Sequence, residues 1–289
     1  MTIIFGLLSA FSYGYADFVG ALAAKKVRAI TVTSVAFVFG LGIAAVLSLF
    51  VGANFSQAAI TAGIYAGIAS GVAISCLYAA LALGPISIVS PLTAVLSALI
   101  PVIYDLATGA ELGPFALIAI VLVLVAVVLV AFVPGQDFRL PSLRAVLYSV
   151  GAGVGFAGIF VFLDQAPSDS GLATLIVMRV VGIVLMLAGL TFAFFRFRPK
   201  QFLETAVFGR SLIWLVLLAA LGDVLGNVFF LVATRAGELA IAAVLTSLYP
   251  VGTILLARIV LKERIAKSQT LGIVLAIGAC VLIAIGKPA

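Results

Sequence analysis

The residues that could do chemistry here are the few ionisable groups lying inside apolar stretches. Asp17, Arg179 and Asp223 each have apolar neighbours on both sides, and Asn227 follows Asp223 by one helical turn. Charge at membrane depth is costly, so each is a functional-site candidate. Arg179 can hold a substrate carboxylate, while Asp17 or Asp223 can hold an ammonium group or a proton. The competing reading is an internal pair between Arg179 and Asp17 or Asp223 that fixes helix register. Asp164, beside Gln165, reads as an interfacial acid. Tyr13, Tyr78 and Tyr249 complete the candidate lining, because a ring with a polar tip can line an apolar pocket or face a cation. Tyr104, Tyr148 and Trp214 fall near the ends of apolar stretches and read as interfacial belt residues. The chain has no His, which removes the commonest metal ligand and the usual general base. Cys76 and Cys280 stand alone in apolar surroundings and form no zinc or disulfide pattern. No cofactor, metal site or catalytic residue is expected, and enzyme chemistry is not supported.

The elements that must position these groups follow from composition. Of 289 residues, 65% are hydrophobic and 9% charged, against about 25% charged in a soluble domain. A water-soluble domain and a disordered chain are both excluded. From Ala29 to Tyr104 there is no Asp, Glu, Lys or Arg, a run of 76 residues. One span needs about 20 residues, so this run folds back through the bilayer. No alternating strand pattern of a barrel occurs. The expected fold class is an all-α polytopic membrane protein with ten transmembrane helices. The spans are expected at 2–24, 30–51, 57–83, 86–107, 113–133, 143–165, 170–195, 211–235, 239–260 and 267–286. Gly84-Pro85 and Gly237-Glu238 mark the tightest breaks. The N-terminus lacks a basic region before its apolar stretch, so a cleaved signal peptide is not expected.

With ten spans, thirteen of the sixteen basic residues fall in loops on one side: Lys25, Lys26, Arg28, Arg139, Arg144, Arg196, Arg198, Lys200, Arg210, Arg258, Lys262, Arg264 and Lys267. The positive-inside rule puts that side in the cytoplasm and both termini opposite. The net charge of +6 is accounted for by these loops and requires no nucleic-acid partner. The expected location is the cell (inner) membrane, with the lipid bilayer and a small-molecule substrate as partners and a monomer as the unit.

The two halves resemble each other. Ser12–Phe18 lines up with Gly153–Ile159 at an offset of 141, which also places Thr33 on Thr174. Leu99-Ile100-Pro101 matches Leu248-Tyr249-Pro250. The expected repeats are residues 1–136 and 137–289, five spans each. An odd number of spans inverts one repeat against the other, which is a common plan for alternating-access transporters with a midplane site between repeats. Asp17 aligns with Gly158 and Arg179 with Val38, so the polar groups occur once each and the site is asymmetric. Gly63, Gly67 and Gly71, then Gly151 and Gly155, then Gly222 and Gly226, form stripes at four-residue spacing that suit either static close packing or sliding of one helix on another. Pro91, Pro101 and Pro250 are hinge or gate candidates, with a fixed bend as the alternative.

Ser9–Gly14, then Pro250 followed by Leu261-Lys262-Glu263-Arg264, Gly272 and Gly278, resemble the drug/metabolite transporter superfamily, EamA type, over essentially the whole chain. The first half echoes the ending with Pro101, Glu111 and Gly113, its Glu ten rather than thirteen residues after the Pro. The chain looks most similar to the aromatic and neutral amino-acid exporter branch. The resemblance implies two five-helix repeats and secondary transport; it also implies cytoplasmic termini, against the basic-residue count. The expected function is export of small amphipathic metabolites, amino acids first. One intramembrane arginine cannot balance a sugar phosphate. The alternative is export of lipophilic or quaternary cationic drugs by proton antiport, using Asp17 and Tyr13.

Overall fold

The computed structural model describes residues 1–24, 26, 29–83, 86–131, 142–197, 210–262 and 266–285. Lys25, Arg28, Arg139, Arg198, Lys200, Arg264, Glu263, Lys287, the Gly84-Pro85 break and the repeat boundary at 136 lie outside these residues, as do the side chains of Tyr78, Pro91 and Arg196.

Eleven α-helices make up the described chain: α1 (Thr2–Ala24), α2 (Ala29–Val51), α3 (Gln57–Leu83), α4 (Ile86–Ala107), α5 (Pro114–Ala131), α6 (Leu143–Asp164), α7 (Ala173–Phe197), α8 (Arg210–Arg235), α9 (Leu239–Thr246), α10 (Tyr249–Val260) and α11 (Lys267–Ile285). A single 3-10 turn, Ser168–Ser170, precedes α7. Eight segments are long and apolar enough to cross a membrane, and the described parts of α4 and α7 add two shorter apolar stretches. The fold is therefore an all-α polytopic membrane fold. The expected spans match these helices to within three residues at each end. The one departure is the ninth span, Leu239–Val260, which breaks at Ser247-Leu248 into α9 and α10.

Local chemistry explains the starts. Ser56 Oγ accepts from Ala59 N at 3.2 Å below α3, and Ser142 Oγ accepts from Ala145 N at 3.2 Å as the N-cap of α6. Pro114 opens α5, where its missing N–H costs nothing.

Small residues set the packing. A methyl added to Gly63 would lie 2.6 Å from Val177 Cβ, and one on Gly67 2.6 Å from Val181 Cβ, so α7 lies directly on the α3 glycines. On another side of α3, Gly155 of α6 presses on the backbone of Ala73, and Gly151 receives Cys76. Gly222 and Gly226 of α8 receive Tyr15 and Tyr13 of α1. Each stripe is thus a site of close helix contact, where dispersion replaces the missing hydrophobic drive.

The helix pairs form a regular set. α1 packs on α8 and on α9–α10; α6 packs on α3 and on α4. α2 meets α7 and α8, α3 meets α7, α5 meets α11, and α4 meets α9. Counting α9–α10 as one span, replacing each span by the one five positions away maps this set of pairs onto itself.

Candidate functional site

Arg179 is placed by two contacts of α7. The face of α7 bearing Thr174, Val177, Met178 and Val181 meets the α3 glycines, which turns Arg179 toward α2 and α8. There its guanidinium lies 5.2 Å from the Phe37 ring centroid and beside Gly40, where a methyl would come within 3.5 Å of Cζ. Gly182, one turn on from Arg179, accommodates the same Phe37 ring. The offset of 141 pairs Arg179 with Val38 in sequence, but Val38 is 56% exposed and Arg179 only 2%. That register therefore does not carry into the packing, and Phe37 and Gly40 are the α2 residues that matter to Arg179.

Arg179 Nη2 donates to Asp223 Oδ2 across the α7–α8 contact. Of the two partners open from sequence, Asp223 is the one used. The pair is lopsided: the Arg179 side chain is 3% exposed and that of Asp223 38%. Arg179 Nε is buried with no hydrogen-bond partner. An unmet donor of this kind costs about 1–3 kcal/mol, so the guanidinium has capacity to spare. Asn227 Nδ2 donates to the carbonyl of Asp223 at 2.8 Å and is 3% exposed, so its amide is engaged on its own helix.

Asp17 shares the electrostatic neighbourhood of Asp223, Tyr13 and Tyr249, and Tyr13 that of Arg179 and Asp223. Ile4, Leu7, Leu8 and Phe11 form the outward face of α1. Asp17 points well away from them, on the side that carries Thr2, Gly6, Ser9 and Tyr13. Thr2 and Ser9 on that side are fully buried, whereas Asp17 is exposed. On this side of α1 the exposure therefore lies toward its C-terminal end. Asp17, Tyr13, Asp223, Arg179 and Tyr249 thus gather around one niche. Tyr78 belongs to α3 and Pro91 to α4, but their side chains are outside the described residues. Pro101 is buried within a continuous α4, and Pro250 lies in the first turn of α10.

The end of the bundle away from the basic loops is laced by Arg235, Asn54 and Asp105, which sequence reasoning did not single out, and by Tyr104, Asp164 and Gln165, which it read as interfacial. Arg235 Nη2 donates to Pro167 O at 3.3 Å, Ser170 Oγ at 3.1 Å and Gly171 O at 3.3 Å. Asn54 Nδ2 donates to Asp169 Oδ2 at 3.1 Å, and Leu172 N to Gly52 O at 3.0 Å. Asp105 Oδ2 accepts from Ala240 N at 2.7 Å, capping α9 from the end of α4. Gln165 Nε2 donates to Tyr104 OH at 2.8 Å, and Asp164 lies near Thr234 and Asp105. Every residue of α9 is buried beneath this belt. A separate notch of about 560 Å³ at this end, lined by Gln57, Thr61, Tyr65, Phe162 and Gln165, is far from the niche in the fold, on the outside of α3 and α6. Among the described residues no group of three or more His, Cys, Asp or Glu could hold a metal.

A family model described as the EamA-like transporter family matches residues 1–132 and again residues 143–285. The chain belongs to the EamA-like transporter family. Its membrane fold is accordingly that of a transporter of small molecules. No curated protein matches the chain in sequence. Among solved structures 29 chains match. One, titled "Crystal structure of protein", is 14% identical with a TM-score of 0.75, over 98% of this chain and 96% of that one. At that identity the likeness shows the fold alone.

Proposed function

We propose that this EamA-like transporter exports small amphipathic metabolites that carry an amine, amino acids with apolar or aromatic side chains first among them. The observation that carries the reading is the niche itself: an exposed Asp17, the Arg179–Asp223 pair, and Tyr13 and Tyr249 within one electrostatic neighbourhood. Asp17 receives the ammonium group and Arg179 the carboxylate, while the rings and helix faces accept the side chain. The repeats are divided at residues 136 and 137, and the substrate passes between them by alternating access. The positive-inside rule assigns the basic loops to the cytoplasm of a cell (inner) membrane. With the opposite end laced shut, the niche then faces inward, the loading side for export.

The second reading, a lipophilic or quaternary cation exchanged for a proton, is favoured by one observation. Arg179 is already paired with Asp223, while the charged neighbour that Asp17 feels most among the described residues is an acid, Asp223. Purified protein in liposomes separates the two. Uptake of labelled phenylalanine that is abolished in Arg179→Gln and Asp17→Asn supports amino-acid export. Robust movement of tetraphenylphosphonium driven by a pH gradient, with no phenylalanine flux, rejects it in favour of the cation reading.

A further inference from the structure

We propose that Asp223 is a built-in competitor for the substrate's carboxylate on Arg179, and that a zwitterion binds by exchanging ion-pair partners. This inference rests on the amino-acid reading above and adds to it a rule for what the site rejects.

Arg179 is 2% exposed and its guanidinium lies over the Phe37 ring, so a ligand reaches it by displacing the group in front of it. That group is Asp223, whose side chain is the accessible half of the pair. Arg179 has five N–H donors in a fork built for a carboxylate, yet Nε is unpartnered. A ligand carboxylate that also engages Nε satisfies more of the guanidinium than Asp223 does. The groups facing the niche from α1, α7, α8 and α10 are Asp17, Tyr13, Arg179, Asp223 and Tyr249.

Charge arithmetic gives the selectivity. With all three groups ionised, Arg179 contributes +1, Asp17 and Asp223 contribute −1 each, and the sum is −1. A simple carboxylate that displaces Asp223 leaves two neighbouring acids without a counter-charge, at low dielectric. A zwitterion delivers its ammonium to those same acids as it takes Arg179. The sum stays at −1, and every charge keeps a partner. A simple amine uses Asp17 and leaves the Arg179–Asp223 pair in place. The carboxylate is thus admitted only when accompanied by the amine.

The test is competition against labelled phenylalanine counterflow in liposomes by unlabelled phenylalanine, 3-phenylpropionate and phenethylamine. For the native protein, phenylalanine competes and 3-phenylpropionate competes only at far higher concentration. In Asp223→Asn the guanidinium loses its charged competitor, and 3-phenylpropionate competes at about tenfold lower concentration than in the native protein. Equal competition by 3-phenylpropionate in both proteins overturns the proposal while leaving amino-acid export intact. Should Asp223→Asn fail to fold, the native protein alone still decides, since 3-phenylpropionate competing there as well as phenylalanine overturns the exchange. Absence of phenylalanine counterflow in native protein that moves tetraphenylphosphonium removes the amino-acid reading and this inference with it.

Discussion

Spans four and nine carry the same Leu-x-Pro and pack against each other, yet only one of them is broken. α4 runs continuously through Pro101, whereas span nine stops at Thr246 and restarts at Tyr249. The serine chemistry is the same in both. Ser97 Oγ donates to Ala94 O at 2.9 Å and Ser247 Oγ to Val244 O at 2.7 Å, each three residues back. The proline alone does not cause the break either, since Pro101 is tolerated inside a helix. The difference lies in what each span is tied to. α9 is held at its start by Asp105, and α10 is pressed backbone to backbone on α1. A methyl on Gly14 would lie 2.5 Å from Tyr249 O and 2.8 Å from Thr253 N. At the corresponding crossing, a methyl on Gly153 of α6 would meet one close atom, Leu96 Cβ of α4 at 2.5 Å, and the nearest backbone atom, Thr93 O, at 3.2 Å. Two anchors that one straight helix does not meet divide the span. The break then moves Pro250 into a first turn, where its missing N–H is harmless.

The largest expected effect tests the crossings. Gly14→Ala drives a methyl against two backbone atoms and lowers stability by about 3 kcal/mol, while Gly153→Ala, which meets only Leu96 Cβ closer than 3.0 Å, costs about 2 kcal/mol. Thermal unfolding of the two variants in detergent measures this; an equal or reversed order removes the backbone-anchor explanation. Next is the trans cap. Asp105→Ala leaves Ala240 N unsatisfied and costs about 1–2 kcal/mol, with faster hydrogen exchange confined to the first turn of α9. Exchange that accelerates equally along α4 would show that Asp105 serves its own helix instead. The smallest stability effect comes from the prolines. Pro101→Ala and Pro250→Ala each change stability by about 1 kcal/mol or less, and Pro250→Ala leaves the break between α9 and α10 in place, because the two anchors hold it. Hydrogen exchange around Ser247–Tyr249 that slows to the level of a helix interior in Pro250→Ala would show that the proline, not the anchors, holds the break.

Much of this architecture is legible in sequence because the membrane imposes it. An apolar run of the right length, ended by Gly, Pro or charge, has one solution in lipid, so the spans follow from hydropathy. The glycine stripes are legible for a similar reason, since small residues at four-residue spacing form a smooth helix face. Asp17, Arg179 and Asp223 stand out by their cost. Their arrangement is a different matter. Which acid Arg179 chooses depends on how α2, α7 and α8 are rotated, and Val38 shows that an alignment offset does not encode rotation. The break in span nine is invisible to hydropathy because both halves are equally apolar. Asp105, Arg235 and Asn54 lie at helix ends, where polar residues are ordinary, and nothing in their spacing reveals that they tie distant loops together.

Arg235 gives that tie a mechanical character. One guanidinium nitrogen serves three oxygens on the 167–171 segment at once. A single swing of this side chain forfeits all three contacts together, and a partial swing recovers little. The tie between the end of α8 and the 167–171 segment is therefore made or lost as a unit rather than loosened contact by contact.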